Sequence, residues 1–134
     1  MRTVAAIALL FAVGSIASAQ LAPCTTVAHS GDTILRMRAG ACGLTPQQRA
    51  VMVHQQLVEA MSWVFASQQP FKPECVVVRR VCRGCYRHEV WFGNIRIVGV
   101  SQADADANGC CTQQLAARWA ENIRHSLLEA THDC

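Results

Sequence analysis

The chain has 134 residues, which is enough for one domain. Twelve residues are Lys or Arg and nine are Asp or Glu, so the formal net charge is only +3. This small charge gives no basis for a nucleic-acid partner or for binding to an anionic membrane surface.

The N-terminus has the features of an export signal. Arg2 supplies a positive charge, and residues 4–13 form an apolar run that is too short to span a bilayer. Residues 17–19 (Ala-Ser-Ala) match the small-residue pattern at which signal peptides are cleaved. We therefore predict a signal peptide at residues 1–19. The mature chain is predicted to begin at Gln20, to lack a membrane span and to be secreted or periplasmic.

Residues 20–31 are polar and predict an N-terminal arm, whereas residues 32–134 predict a single domain that ends in a short tail. The first strand of this domain is predicted at residues 34–38. Residues 45–48 (Thr-Pro-Gln-Gln) predict a helix start, because threonine is a favoured N-cap, proline fits the first helical position, and glutamine completes a capping box. Apolar residues at steps of three and four continue this helix to about Phe65.

Three short strands are predicted next, at residues 75–82, 86–92 and 95–100. Two-residue turns between them make neighbouring strands antiparallel. A last helix is predicted from about residue 112 to residue 130, with an apolar stripe at four positions: Leu115, Trp119, Ile123 and Leu127. The order β-α-β-β-β-α predicts an α+β fold, in which two amphipathic helices cover one face of a small antiparallel sheet.

An even number of cysteines in an exported chain of this size predicts about four disulfides. Four bridges can be connected in roughly a hundred ways, so the spacing does not determine the pairing. Cys110 and Cys111 are adjacent, and we expect each to pair elsewhere; Cys42, which also precedes a helix, is one candidate partner. All eight cysteines lie in the predicted mature chain: Cys24, Cys42, Cys75, Cys82, Cys85, Cys110, Cys111 and Cys134.

Residues 82–85 form a C-x-x-C motif. In a redox enzyme the first cysteine of such a motif lies at a helix N-terminus, whereas predicted strands flank this one. We expect structural disulfides, either between Cys82 and Cys85 across a hairpin or from each to another element. A thiol-redox pair and a zinc site that includes His88 are the alternatives.

Residues 104–109 (Asp-Ala-Asp-Ala-Asn-Gly) match the first half of a calcium loop, with Asp104, Asp106 and Asn108 as the oxygen ligands. The closing glutamate of such a loop is replaced by Leu115, which the helix pattern places in the core. We therefore favour an acidic turn that leads into the last helix, with a calcium site as the alternative.

Four arginines concentrate in the region of the predicted sheet: Arg79, Arg80, Arg87 and Arg96. They are expected to form a solvated face that protects the sheet from aggregation, and the alternative is a face that binds an anion or a partner. The chain has no nucleophile elbow, no H-E-x-x-H and no glycine-rich phosphate loop. We therefore expect neither an enzyme nor a cofactor.

Three motifs together resemble a known family. Residues 44–50 (LTPQQRA) open the first helix, residues 100–105 (VSQADA) follow the third strand of the meander, and residues 115–124 (LAARWAENIR) lie in the last helix. In this order they resemble the extracytoplasmic N-terminal module of bacterial, notably cyanobacterial, small-conductance mechanosensitive channel-like proteins. The resemblance covers about residues 32–130.

The resemblance implies a periplasmic domain that senses a signal or binds a partner. It carries over no catalytic residue and no channel activity, because no channel segment follows and the eight cysteines are not part of the family pattern. We therefore expect an exported, free-standing, disulfide-stabilised module that binds an envelope protein or a small ligand. The alternative is a small secreted thiol-redox or metal-binding protein that uses Cys82 and Cys85 or the loop from Asp104 to Gly109.

Overall fold

The computed structural model describes residues 25–29, 32–82 and 84–132. The predictions for the signal peptide, for Cys24 and for Cys134 therefore lie outside the described residues. Within these ranges, no helix is long and apolar enough to cross a membrane. The elements, in chain order, are β1 (Thr25–His29), β2 (Asp32–Met37), α1 (Pro46–Ser67), a 3-10 turn (Pro73–Cys75), β3 (Val76–Arg80), β4 (His88–Phe92), β5 (Ile95–Val100), α2 (Gln102–Asn108) and α3 (Thr112–His132).

The strands form two small antiparallel sheets. One is the hairpin of β1 and β2, in which Val27 lies opposite Leu35. The other is the meander β3-β4-β5, which confirms the antiparallel order predicted for the three later strands. Strand β1 was missed because Val27 is the only buried residue among Thr25–Ala28, the part of the strand whose burial is described, so the segment resembled a polar arm.

Helix α1 begins as predicted. The Thr45 side-chain oxygen accepts a hydrogen bond from the Gln48 backbone N–H (3.2 Å), and Gln48 Oε1 accepts one from the Thr45 N–H (2.9 Å). This capping box satisfies two of the free N–H groups that every helix N-terminus leaves. The helix ends at Ser67, two residues beyond the predicted limit, and Gln68 closes it in the left-handed conformation.

Helix α3 packs against both sheets. All four predicted stripe residues are buried: Leu115, Trp119, Ile123 and Leu127. Two polar side chains tie the helix to its neighbours, since Asn122 donates to the Ile34 carbonyl of β2 (2.8 Å) and Arg124 donates to the Val76 carbonyl of β3 (2.7 Å). Helix α1 contacts the β1–β2 hairpin and β5. Helices combined with antiparallel sheets confirm the α+β class.

The predicted acidic turn is a helix, and this is a correction. Ser101 is the N-cap of α2: its hydroxyl accepts from the Asp104 N–H (3.1 Å), and Asp104 Oδ2 accepts from the Ser101 N–H (2.9 Å). Gly109 ends the helix at a positive φ of 65°. The sequence Ser-x-x-Asp is itself a capping-box signal, so the β-α-β-β-β-α order lacked both α2 and β1.

Candidate functional site

A buried ion pair joins α1 to α2. Arg49 in the first turn of α1 and Asp104 in α2 have side chains that are only 3% and 1% exposed. Arg49 Nη1 donates to Asp104 Oδ1 (2.7 Å) and Nη2 donates to Oδ2 (2.8 Å). This bidentate geometry is the strongest form of the arginine–carboxylate interaction.

The remaining hydrogen bonds of the pair reach the surrounding backbone. Arg49 also donates to the carbonyls of Ala39 (2.7 Å) and Gly99 (3.0 Å), and Asp104 accepts from the Ser101 hydroxyl (3.0 Å). Burial by itself lowers the pKa of the Arg49 guanidinium. The hydrogen bonds and the charge of Asp104 raise this pKa by more than burial lowers it, so it lies above its ordinary value. The guanidinium is therefore a charged buried centre to which α1, α2 and β5 are all attached.

Tyr86 connects this pair to the surface of the sheet. Its ring lies 5.5 Å from the Arg49 guanidinium carbon and 5.7 Å from that of Arg96, distances at which cation–π attraction operates. Gly99 lies under the ring, and a Cβ at that position would overlap the ring atoms. Arg96 also pairs with Glu89 (3.2 Å). The absence of a side chain at residue 99 is therefore what allows Tyr86 to lie between the two arginines.

The proposed calcium ligands do not converge. Asp104 is occupied by Arg49, Asp106 accepts from the side chain of Gln102 (2.9 Å), and the Asn108 side chain donates to the Asp104 carbonyl (2.8 Å). They project from a regular helix, whereas a calcium loop curls its oxygens around one point. The part of the chain that the structure describes contains no group of three His, Cys, Asp or Glu side chains that could hold a metal ion.

One disulfide, Cys42–Cys85, forms among the described cysteines, with a Cα–Cα distance of 5.7 Å. It joins positions 43 residues apart, and the chain-entropy model assigns such a bond about 4 kcal/mol of stability. Of the two alternatives predicted for the C-x-x-C, Cys85 therefore follows the second, a bond to another element. The suggested pairing of Cys42 with Cys110 or Cys111 is corrected, because Cys42 bonds to Cys85.

The strand ends explain why the C-x-x-C does not close. Strand β3 ends at Arg80 and β4 begins at His88, so residues 81–87 form a longer connection than the predicted two-residue turn. This connection carries Cys85 to the loop that precedes α1. Among the described cysteines, four are free thiols: Cys75, Cys82, Cys110 and Cys111. The count of about four disulfides is therefore not reached within the described residues.

The four arginines do not share one face. Successive residues of a strand point to opposite sides of a sheet. The Arg79 guanidinium lies over the Trp91 ring at 4.6 Å, on the side that also carries Arg96. Arg80 and Arg87 instead line a separate cleft beside the start of α3. The four arginines, for which an anion- or partner-binding face was the alternative to a solvated face, thus lie in two separate pairs.

The most distinctive concave surface lies between α1 and the β4–β5 turn. We call it the aromatic groove. One part, of about 450 Å³, has Trp63, Phe71 and Phe92 in its walls, and the last two rings have centroids 5.9 Å apart. It adjoins a second cavity of about 300 Å³, and the two share Glu59, Asn94 and Ile95. The groove therefore runs along the flank of α1 towards Arg49.

Helical spacing explains how α1 forms this wall. Met52, Gln56, Glu59 and Trp63 follow one another at steps of four, three and four residues, which places them on one flank. Trp63 is 63% exposed, although large aromatic residues are normally mostly buried. The apolar spacing of α1 predicts only its core stripe; the sequence signal for this flank was a tryptophan outside that stripe.

A family model matches residues 26–130, which is most of the chain. The chain belongs to this family. It is described as a domain of unknown function, DUF8459. No curated protein and no solved structure matches the chain. The matched range includes the Arg49–Asp104 pair, the disulfide and the whole aromatic groove, so these are features of the DUF8459 segment of the chain.

Removal of one partner of the ion pair is expected to destabilise the DUF8459 domain strongly. The substitution Arg49→Met leaves the Asp104 carboxylate buried without its partner, at an expected cost of about 3–5 kcal/mol in the free energy of unfolding. Urea denaturation measures this cost. The double variant with Asp104→Leu should recover part of it, and Glu121→Gln, which removes an exposed ion pair, should cost less than about 1 kcal/mol. A cost for Arg49→Met as small as that of the surface control contradicts the prediction.

Gly99→Ala is expected to act through Tyr86. The added methyl group displaces the ring, at a cost of about 1–3 kcal/mol in unfolding free energy. In a Tyr86→Ala background the overlap is absent, so the same substitution should cost clearly less. Urea denaturation of the four chains completes this double-mutant cycle, and equal costs in both backgrounds would show that the ring is not the obstacle.

Alkylation without reductant is expected to distinguish the cysteines. Cys75, Cys82 and Cys111 are exposed and should be labelled rapidly, whereas half-buried Cys110 should react slowly. Cys42 and Cys85 should be labelled only after reduction. Peptide mass mapping gives the result.

The variant Cys42→Ser is the matched control for this experiment, because it frees Cys85 for labelling without reductant. Labelling of Cys85 in the unreduced wild-type chain would contradict the pairing.

Proposed function

We propose that this DUF8459 domain is an exported, non-enzymatic module of the cell envelope that binds or senses, in the aromatic groove, a ligand with an apolar group. One observation carries the proposal. The indole of Trp63 is largely exposed at the edge of a cavity that also has Phe71 and Phe92 in its walls. Apolar walls with a few polar groups are the usual composition of ligand sites.

The energetics favour an occupant with an apolar group. Covering the exposed part of the Trp63 indole contributes about 2 kcal/mol, and contact with an aromatic ligand adds to it. Phe71 is buried and Phe92 is half-buried, so these two rings form a fixed surface that needs little ordering when a ligand binds.

The polar residues of the groove suggest the rest of the ligand. Glu59 and Lys72 both line it and carry opposite charges, and Asn94 adds an amide. An amphipathic ligand, with an aromatic or branched aliphatic group and one polar end, matches this composition. A small molecule and a side chain of an envelope protein share this chemistry.

Export is supported by two independent features. The sequence predicts a cleavable signal peptide, and the Cys42–Cys85 disulfide fits an oxidising compartment. The resemblance to the extracytoplasmic module of mechanosensitive channel-like proteins supports the same location and a role in sensing. The C-x-x-C offers less support for a thiol-redox function, because Cys85 is bonded to Cys42.

Ligand-observed NMR with a panel of aromatic and acyl compounds that carry one polar end tests the proposal. Compounds that bind should lose at least about tenfold in affinity when Trp63 is replaced by Ala, because the ligand then loses one aromatic wall. Phe65→Ala is the matched control, since Phe65 is an exposed aromatic residue of the same helix that does not line the groove.

Backbone amide shifts should report the same site. In the wild-type chain, Gly93 and Asn94 in the groove should shift on binding, and residues of the α3 N-terminus should not. Equal losses in the Trp63→Ala and Phe65→Ala variants, or shifts confined to the cleft near Arg80, would contradict the assignment of the site.

A further inference from the structure

The cleft beside the start of α3 is lined by basic side chains. It has a volume of about 890 Å³, and Arg80, Arg87 and His88 line it together with residues 111–113. None of the described residues in its walls is Asp or Glu, and none also lines the aromatic groove. We call this cavity the basic cleft.

The two arginines of the basic cleft have no carboxylate partner within the described residues. Arg49, Arg96 and Arg124 each form an ion pair with an Asp or Glu, whereas Arg80 and Arg87 form none. A guanidinium group presents several N–H donors in a fixed fork that fits the oxygens of an anion. Two such forks in a cavity without acidic side chains therefore favour an anionic occupant over a neutral or cationic one.

Backbone pairing holds both arginines at one end of the β3–β4–β5 sheet. Arg80 lies opposite His88 in the β3–β4 register. Beyond this pair, the Val81 N–H donates to the Arg87 carbonyl (2.9 Å), and the Arg87 N–H donates to the Val100 carbonyl (2.9 Å). The backbone that carries the two guanidinium groups is thus already ordered, which lowers the entropy cost of binding.

The N-terminus of α3 adds backbone donors to the same cleft. A hydrogen bond of 3.0 Å joins His88 Nδ1 to the Thr112 hydroxyl, so the first residue of the helix is attached to β4. Helices α1 and α2 begin with capping boxes. Helix α3 instead follows Cys111, whose thiol is a weak acceptor, and no acidic residue lies in its first turn. The partial positive charge of this helix end therefore reinforces the charge of the arginines.

We propose that the basic cleft binds a phosphate or sulfate monoester, with its oxyanion between Arg80, Arg87 and the N-terminus of α3. The terminal group of such an ester has three oxygens, one for each of these donors, whereas a carboxylate has two. Val78 and Val81 are half-buried in the wall of the cleft and form a surface for the organic part of the ester. Because solvent screens the exposed arginines, we expect a dissociation constant on the order of 1 mM.

An NMR titration of the mature chain with phenyl phosphate, at constant ionic strength, tests this proposal. The amides of Cys111, Thr112 and Gln113 should shift and saturate, and that of Gly93 in the aromatic groove should not. Benzoate has the same ring with a carboxylate, and it should bind at least about tenfold more weakly. Inorganic phosphate, which lacks the ring, should also bind more weakly than phenyl phosphate.

Substitutions of the arginines locate the site. Arg80→Gln and Arg87→Gln should each weaken phenyl phosphate binding at least about tenfold, because each removes charge-assisted hydrogen bonds. Arg87→Lys keeps the charge but loses the fork, so its loss should be smaller. Arg118→Gln is the matched control: it removes the same charge from an exposed position of α3 that does not line the cleft, and it should bind like the wild type.

The free thiols give a second measurement. Cys82 and Cys111 both line the basic cleft, whereas Cys75 lines the aromatic groove, and all three are exposed. Saturating phenyl phosphate should slow the alkylation of Cys82 and Cys111 and leave the rate at Cys75 unchanged. Trp63→Ala should bind phenyl phosphate like the wild type, so this proposal and the proposed function fail independently of each other.

Each outcome decides the proposal. Shifts that do not saturate by about 20 mM phenyl phosphate overturn it. Binding that survives both Arg80→Gln and Arg87→Gln, or that Arg118→Gln weakens equally, also overturns it, because the anion must then lie elsewhere. Benzoate that binds as tightly as phenyl phosphate overturns the assignment of a phosphate or sulfate group. Inorganic phosphate that binds as tightly overturns the contact of the ester with the two valines.

Discussion

The buried pair of Arg49 and Asp104 is the interaction on which the arrangement of this domain depends. Two charges removed from water carry a large desolvation penalty, which mutual attraction offsets only when the geometry is good and every remaining hydrogen bond is made. Both conditions hold, since the pair is bidentate and the remaining contacts reach Ala39, Gly99 and Ser101. These requirements are met at one relative position of α1, α2 and β5. The pair therefore specifies an arrangement more than it adds net stability.

That arrangement determines where the candidate site lies. Arg49 fixes the first turn of α1, and the helix then runs past β5 and the β4–β5 turn, so that its Trp63 flank becomes one wall of the aromatic groove. The Tyr86 ring, which lies against Gly99, contacts the buried Arg49 on one side and Arg96 at the surface of the sheet on the other. Core contacts from Val53 to Val64 hold the rest of the helix, so the position of the groove wall depends on the buried pair and on the core together.

Local signals predicted the elements whose formation depends on nearby residues. The capping box at Thr45 and the α3 stripe around Trp119 are such signals, and both are confirmed. Helix α2 carried a capping box as well, but the Asp-rich sequence from Asp104 also matched a calcium loop, and the structure decided between the two. The partner of Cys42 and the groove at Trp63 depend on segments distant in sequence, so no local pattern contains them.

Helix α1 exposes more apolar side chains than the composition of the chain indicates. A helix with one apolar face and one polar face is explained by its core contacts. Here the core face around Ala60 leaves two further regions with exposed apolar side chains, the groove flank with Trp63 and the outer face of the helix with Val58 and Phe65. Solvent-facing apolar side chains in a nearly uncharged helix favour aggregation unless something covers them. A ligand in the aromatic groove, as proposed above, would cover the flank with Trp63 and remove part of this exposed apolar surface.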